Sequence, residues 1–319
     1  METRPELGIV ICTFNRRSEV LSLLKRICEE YDFEVKIVVV DSSNPENAIS
    51  TELVIENGIR NSKIIIEVIT TTLRSLPAQK EIGTKYALTE PALKEIMYLD
   101  DDTYLEPESA KELQNLFQLD SEVVAVSGVT TNQVLKINAL HNWFRKAFLL
   151  TSSREGVLLS SGVNIPVRTY SKQLVFTEWL IGCSAWRATA AKDLSFPSNL
   201  PGSALYEDVI ISQSGRKKGK IAVAPWIHLK HDLSEVNRPD SYLHGRRNQR
   251  NRYELTKIPI SGVTKFGFWW ATTGFVLESA LMILVSLLKG RRQVAAQNWK
   301  FIKGTFRGTL DILFSRTPA

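Results

Sequence analysis

With 319 residues, 44% of them hydrophobic and 23% charged, the chain can build a sizeable core, and its composition excludes wholesale disorder. Three scattered cysteines (Cys12, Cys28, Cys183) exclude a disulfide scaffold and a structural zinc site, which predicts a reduced, cytosolic setting. The net charge of +6 is uneven: from Arg216 onward 19 lysines and arginines oppose 6 acids, a balance of +13, against −7 for the rest. That asymmetry predicts an anionic partner for the C-terminal third, be it a diphosphate, a membrane or a nucleic acid.

The opening residues METRPELG mix acids with bases and lead straight into an apolar run, so no secretory signal is expected. LGIVICTF (7–14) reads as a strand, and SEVLSLLKRICEE, opened by Ser18, has helical spacing. VKIVVVD (35–41) is a second β-branched run, followed by the turn-like SSNPEN and a helical stretch to Asn57. KIIIEVIT (63–70), a helix over 77–88, EIMYLDD (95–101), a helix from Pro107 and VVAVSGV (123–129) continue the alternation. Near-continuous apolar strands separated by helices predict an α/β fold with a doubly wound, mostly parallel sheet covered by helices on both faces. Ligands of such sheets bind beyond the C-terminal ends of the strands.

After about residue 139 the pattern loosens into WLIGCSAWR (179–187), a helix over 206–215, the strand IAVAPWI (221–227) and a basic helical stretch, GRRNQRNRYELTK. FGFWWATTGFVLESALMILVSLL (266–288) carries one charge, Glu278, and a basic amphipathic tail follows. The organisation expected is a domain over 1–255, with a ligand-binding half (1–130) and an acceptor half (131–255), and a membrane-associating helical segment over 256–319.

The chemistry concentrates in YLDDDTYLEP, where an apolar strand runs into three aspartates. Side chains alternate along a strand, so Asp100 and Asp102 are expected on one side and Asp101 on the other. Paired carboxylates at a parallel strand's end suit a hard divalent cation that arrives with substrate phosphates. The competing reading is a solvated acidic loop whose charges complement the helix starting at Pro107.

Four segments in order, IVICTFNRR, IVVVDSS, PAQKEIGTKYA and YLDDDTYLEP, resemble family 2 glycosyltransferases of the GT-A fold with its DxD motif. The resemblance implies donor binding by Thr13, Asn15 and Arg16, a nucleobase contact from Asp41 and a ribose contact from Asp100. It implies a metal, Mg2+ or Mn2+, on Asp102. Lys80 and Glu81 stand where the family carries Arg-Asn, which makes Lys80 a donor-binding candidate. IGCSAWRA resembles the family's acceptor-side strand, with Gly182, Cys183 and Trp186 as lining residues. YEDVIIS resembles its acidic pair, with Asp208 as general base and Glu207 as the alternative; the plain reading of two acids there is a stabilised helix start. PWIHLKHD resembles the strand ending on a family histidine near the metal, and spacing from Pro225 selects His231 over His228. Arg247, Arg250 and Arg252 fall where the family often closes a basic segment over the donor.

The resemblance implies an inverting, metal-dependent transfer of a sugar from a nucleoside-diphosphate donor to a hydroxyl on a glycan or lipid-linked acceptor, in surface polysaccharide or glycolipid synthesis. Two alternatives compete. A sugar-phosphate nucleotidyltransferase would place a Gly-rich loop after the first strand, where this chain has CTFNRR. A non-catalytic, membrane-associated nucleotide-binding protein would not need aspartates at 41, 102 and 208. No nucleic-acid partner is expected, because the basic end contains no recognisable binding module. The segment 266–288 is long enough to span a bilayer, yet Glu278 sits at its middle and basic residues flank both ends. The expected location is therefore the cytoplasmic face of the membrane as a monotopic hairpin, with one transmembrane span as the alternative.

Overall fold

The computed structural model describes residues 4–130, 139–198, 200, 204–231 and 240–314. Packing divides the chain into two units, the first formed by Met1–Gln133, Val167–Ser203 and Glu207–Val236, the second by Val134–Pro166, Ala204–Tyr206 and Asn237–Ala319.

The first unit follows the predicted alternation: β1 (Leu7–Thr13), α1 (Arg17–Glu30), β2 (Val35–Asp41), α2 (Thr51–Glu56), β3 (Ile64–Thr70), α3 (Leu76–Ala87), β4 (Glu95–Asp100), β5 (Thr103–Tyr104), α4 (Pro107–Leu119) and β6 (Val123–Thr130). Every residue of β1 and β2 is buried, as continuous apolar runs in a doubly covered parallel sheet should be. The later chain adds β7 (Val175–Phe176), β8 (Ala185–Arg187), α6 (Ala188–Ala191), α7 (Glu207–Gly215) and β9 (Lys220–His231). Strand order is β3-β2-β1-β4-β8-β6-β9-β5, with β7 pairing β9. β1 to β4 run parallel, whereas β8 is inserted antiparallel between β4 and β6. The sheet is therefore mixed at its middle. Only the last three residues of WLIGCSAWR that precede the helix form strand, because Gly182 and Cys183 belong to a bend over the end of β4.

One core layer packs α1, α2 and α4 against the side chains of Leu7, Ile9, Ile11, Val35, Ile37 and Val39. The opposite layer packs α3, α6 and α7 against Val10, Cys12, Val38, Val40 and Tyr98. At about 25 cal/mol per Å2 of apolar surface removed from water, these two layers supply the main stabilisation of the unit.

The second unit contains α5 (Ala139–Ala147), α8 (Ser241–Glu254), α9 (Lys265–Leu288) and α10 (Arg292–Leu313). Helix α8, placed by the sequence with the catalytic domain, packs with the C-terminal helices. Three glycines make the contact: a Cβ on Gly304 would lie 1.9 Å from the Tyr242 carbonyl oxygen, one on Gly308 2.7 Å from that of Arg246, and one on Gly245 2.3 Å from that of Phe301. Arg252, expected at the donor, is fully buried in this unit instead. Its guanidinium donates to Ser161 O, Gln249 Oε1 and Thr272 Oγ1 and lies 4.6 Å and 5.0 Å from the Phe268 and Phe275 ring centroids. Burial pulls its pKa down to about 10.

Because backbone cannot yield to a methyl group at 1.9 Å, Gly304→Ala should push α10 off α8. The expected loss is about 1–3 kcal/mol of stability, the range of an overpacked core, read as a lower denaturant midpoint.

Candidate active site

The ends of β1, β2 and β4 meet at one edge of the sheet. At the end of β1, Thr13 Oγ1 donates to Asp101 Oδ2 at 2.8 Å. Asn15 follows with φ of 55°, a left-handed conformation that Asn tolerates. Its backbone N–H donates to Ser43 Oγ at 2.7 Å and its Oδ1 accepts from the Asn44 N–H at 2.9 Å, which ties the turn after β1 to the loop after β2. Gln79 of α3 fastens the same edge from behind, donating from Nε2 to the carbonyls of Thr13 and Val40 at 2.9 Å each.

Asp41, expected on the nucleobase, is 1% exposed. Its two oxygens accept the backbone N–H groups of Ser43 and Ile49 at 2.8 and 2.7 Å. The carboxylate shapes the 42–49 loop and presents no oxygen outward.

The three aspartates do not alternate as a strand would place them. β4 ends at Asp100, and Asp101 and Asp102 already belong to a turn. Asp101 does not face away: it is buried beside Asp102, and Arg16 Nη1 donates to both, at 2.7 Å to Asp101 Oδ1 and 3.2 Å to Asp102 Oδ2. Burial pushes Asp101 up to about 6, with Arg16 and Thr13 pulling the other way. Asp100 parts from the other two. Its backbone N–H donates to Cys183 Sγ at 3.4 Å, and its carboxylate faces Lys80 and Gly182.

That second cluster is built on a buried ion pair. Lys80 Nζ donates to Glu207 Oε1 at 2.7 Å and to Gly182 O at 3.3 Å, and the Lys80 and Glu207 side chains are 4% and 6% exposed. Burial alone would discharge Lys80, but Glu207 and Asp100 outweigh it and the net shift is upward. Glu207 Oε2 is buried without a hydrogen-bond partner. A Cβ on Gly182 would lie 3.3 Å from Lys80 Nζ, 3.6 Å from Glu207 Oε1 and 3.9 Å from Asp100 Oδ1, so a larger residue there would press into the cluster. Asp208, next along α7, is partly exposed, and its Oδ1 accepts the Val209 N–H at 2.8 Å. Burial of the carboxyl, then the adjacent Glu207 charge, raises it to about 7.

Two of the acceptor-side candidates are core residues. Trp186 is 1% exposed, packs so tightly on α7 that a Cβ on Gly215 would sit 2.0 Å from its ring, and bonds Ser184 through Nε1. Cys183 is buried and buttresses Asp100. Only Gly182 lies at the charged cluster. The backbone of His231 pairs with Thr103, next to Asp102, while its side chain lies outside the described residues. Arg247 and Arg250 lie half-buried on α8 of the second unit.

Among the described residues no three His, Cys, Asp or Glu side chains converge, which argues against a closed protein cage. Asp102 offers hard carboxylate oxygens, one already beside the Arg16 cation. One or two protein carboxylates completed by substrate phosphates is the arrangement Mg2+ and Mn2+ favour, so the residues fit.

The sequence reading did not reach the Lys80–Glu207 pair, although a signal existed. Leu76, Lys80, Gly83, Thr84 and Ala87 fall at helical spacing on the inward stripe of α3. A lysine within such a stripe requires a buried carboxylate.

A model of the family "Glycosyl transferase family 2" matches residues 8–181. No curated protein matches the sequence. Among solved structures, the mannosyltransferase PcManGT from Pyrobaculum calidifontis, in complex with GDP-Man and Mn2+, is 13% identical with a TM-score of 0.55, covering 97% of this chain and 88% of its own. GalNAc-T7 with UDP, GalNAc and Mn2+ is 15% identical with a TM-score of 0.52, covering 78% of this chain; this chain spans only 48% of GalNAc-T7. S. aureus TarS 1–349 in complex with UDP-GlcNAc is 13% identical with a TM-score of 0.50, covering 95% and 92%. At such identities the likeness establishes a shared GT-A-type fold.

Asp101→Ala removes the buried acceptor of Thr13 Oγ1 and one of the two carboxylates that Arg16 Nη1 bonds. It should lower stability by about 1.5–3 kcal/mol, the cost of a lost hydrogen bond to a charged group, measured by denaturant unfolding. A silent substitution would mean that Asp101 does not hold this edge together.

Proposed function

The chain belongs to glycosyl transferase family 2, and on that premise we propose that it is an inverting, metal-dependent enzyme that moves a sugar from a nucleoside-diphosphate donor to a hydroxyl acceptor. The observation that carries this reading is the division of labour within the acidic pair. Glu207 is committed to Lys80, whereas Asp208 is partly open and raised to about 7. A sugar hydroxyl is a poor nucleophile until a base takes its proton, and a base works best when its pKa lies near the working pH. Asp208 meets that requirement; burial raises Glu207 as well, but its Oε1 is taken by Lys80. Among the described residues no second carboxylate is matched as a nucleophile, which supports a single displacement with inversion.

On the donor side, Asp102 would hold the divalent cation, with His231 the second ligand that the family resemblance implies. Bound there, the ion would neutralise charge developing on the leaving diphosphate. Thr13, Asn15 and Arg16 shape the turn that receives the nucleotide. Asp100 faces the Lys80 cluster, and its expected ribose contact remains part of this proposal. The relatives that carry UDP-GlcNAc and GDP-Man support a nucleotide-sugar donor without selecting the base.

The second unit supports attachment to a membrane surface. α9 is about 36 Å long at 1.5 Å per residue and is apolar enough to cross a bilayer. Its inward face, however, is already bound. A Cβ on Gly267 would meet Ser160 O at 2.5 Å, one on Gly274 would meet Phe148 Cβ at 2.5 Å, and Glu278 accepts two bonds from Arg145, at 2.7 and 2.9 Å, and one from His141. Spanning would carry this polar scaffold into hydrocarbon. The outward face shows Phe266, Trp270, Leu277, Leu281, Leu284 and Leu288, while α10 exposes Trp299, Phe306 and Leu313 beside Lys300 and Lys303. A helix pair lying in the interface of an anionic, cytoplasmic-side leaflet fits that pattern, and it would suit a lipid-linked or membrane-proximal acceptor.

Turnover should be tested on a panel of UDP-, GDP- and dTDP-sugars with Mn2+, with Mg2+ and with EDTA. Because Asp208 must be ionised to act and its pKa is raised, kcat/KM should fall as pH drops through about 7. Asp208→Asn should cost about 10²–10⁴-fold in turnover and spare donor binding. Full activity in excess EDTA, or of Asp208→Asn, would remove the metal or the base respectively.

For the membrane, the intact protein should co-sediment with anionic liposomes at low salt and release as salt rises. Leu281→Glu with Phe306→Glu, both on exposed positions, should weaken that binding several-fold without unfolding the protein. Intact protein that stays in the supernatant defeats this part of the proposal.

A further inference from the structure

We propose that Lys80 and Glu207 act as a positioning pair for Asp208, Lys80 holding Glu207 as a buried carboxylate and Glu207 holding a fixed negative charge beside the base. The inference rests on Asp208 being the base. It assigns to both residues a role other than the donor contact or alternative base that sequence resemblance suggested.

The geometry carries the argument. Glu207 is 5% exposed, and a carboxyl that deep loses its charge unless a cation compensates. Lys80 reaches it at 2.7 Å from the opposite element, α3, and Gly182 leaves room for the contact. The pair is a poor device for stability. Glu207 Oε2 is buried and unpartnered, and a buried ion pair with an unmade hydrogen bond is commonly no better than apolar side chains of equal volume. An arrangement that gains little stability and sits one residue from the base is explained by what it does to that base.

The groups facing Asp208 give the sign. Glu207 comes from its own helix, Lys80 from α3 and Asp100 from β4; Cys12 of β1 and Tyr98 of β4, both uncharged, border the pair. One ammonium against two carboxylates leaves a net negative surrounding. Burial is the larger cause, and this surrounding adds to it, so that Asp208 holds its proton more tightly than an ordinary aspartate, which improves its strength as an acceptor for a sugar hydroxyl. Without Lys80, Glu207 would take up a proton and the negative neighbour would vanish.

The full-length protein, labelled at aspartate carboxyl carbons with 13C, can be titrated by NMR, with the Asp208 signal identified by its loss in Asp208→Asn. Glu207→Gln keeps size and removes the like charge, so the Asp208 midpoint should fall by about one unit or more, the scale of one nearby charge. Lys80→Met should shift it the same way by less, because the lost ammonium itself lowered Asp208. Lys80→Arg should retain the wild-type midpoint. With whichever donor of the panel is turned over, the acid limb of kcat/KM should move with the midpoint. An unmoved Asp208 in Glu207→Gln, or a Lys80→Arg protein that behaves as Lys80→Met, overturns the proposal. The titration needs no turnover, so an enzyme inactive with every donor would count against the transferase reading and leave this test standing on its own.

Discussion

The buried contact between Lys80 and Glu207 is the constraint on which the catalytic edge depends. Five acidic side chains, Asp100, Asp101, Asp102, Glu207 and Asp208, gather where the sheet ends, and two cations, Arg16 and Lys80, reach into them. Carboxylates at that density repel and lose hydration. Arg16 compensates one group and Lys80 the other, and the deficit that remains would favour the divalent cation and the base proposed for this edge. Without Lys80, the inner cluster would have to discharge itself by taking up protons.

The turn after Asp100 decides how that charge is divided. Had the strand continued, Asp100 and Asp102 would share one side and Asp101 would pack elsewhere. Ending the strand at Asp100 sends Asp101 and Asp102 together to Arg16 and leaves Asp100 with Lys80 and Cys183. One side is thereby suited to a hard cation and phosphates, the other to a proton. The two clusters are separated by a change in backbone conformation over a single residue.

Much of the first unit was legible because its physics is local. Continuous β-branched runs and helical spacing determine β1 to β4, β6 and α1 to α4, and the order of four motifs identifies the family. What escaped was set by tertiary context. Asp41 reads as a ligand contact, yet its oxygens serve two amides of the next loop, a use that depends on where residues 43 and 49 return. Trp186 reads as a lining aromatic, yet Gly215 lets α7 close over it. Arg252 reads as part of a basic run, but two phenylalanines from α9, more than fifteen residues downstream, enclose it. In each case the deciding partner is distant in sequence and gives no periodic signal.

The same limit applies to hydropathy along α9. A window average counts apolar residues without regard to which face they occupy, so a helix half-bound to protein scores like one free to cross a bilayer. Three small features distinguish them: Gly267 and Gly274, which admit backbone and ring to van der Waals contact, and Glu278, which is satisfied by Arg145 and His141. A glutamate facing lipid would cost at least about 2.5 kcal/mol at the bilayer centre, whereas one facing a guanidinium on the protein side costs little and fixes the rotation of the helix. With that rotation fixed, the apolar residues Leu277, Leu281 and Leu284 are turned outward together. The single charge that argues against a transmembrane span is therefore what turns these apolar residues outward.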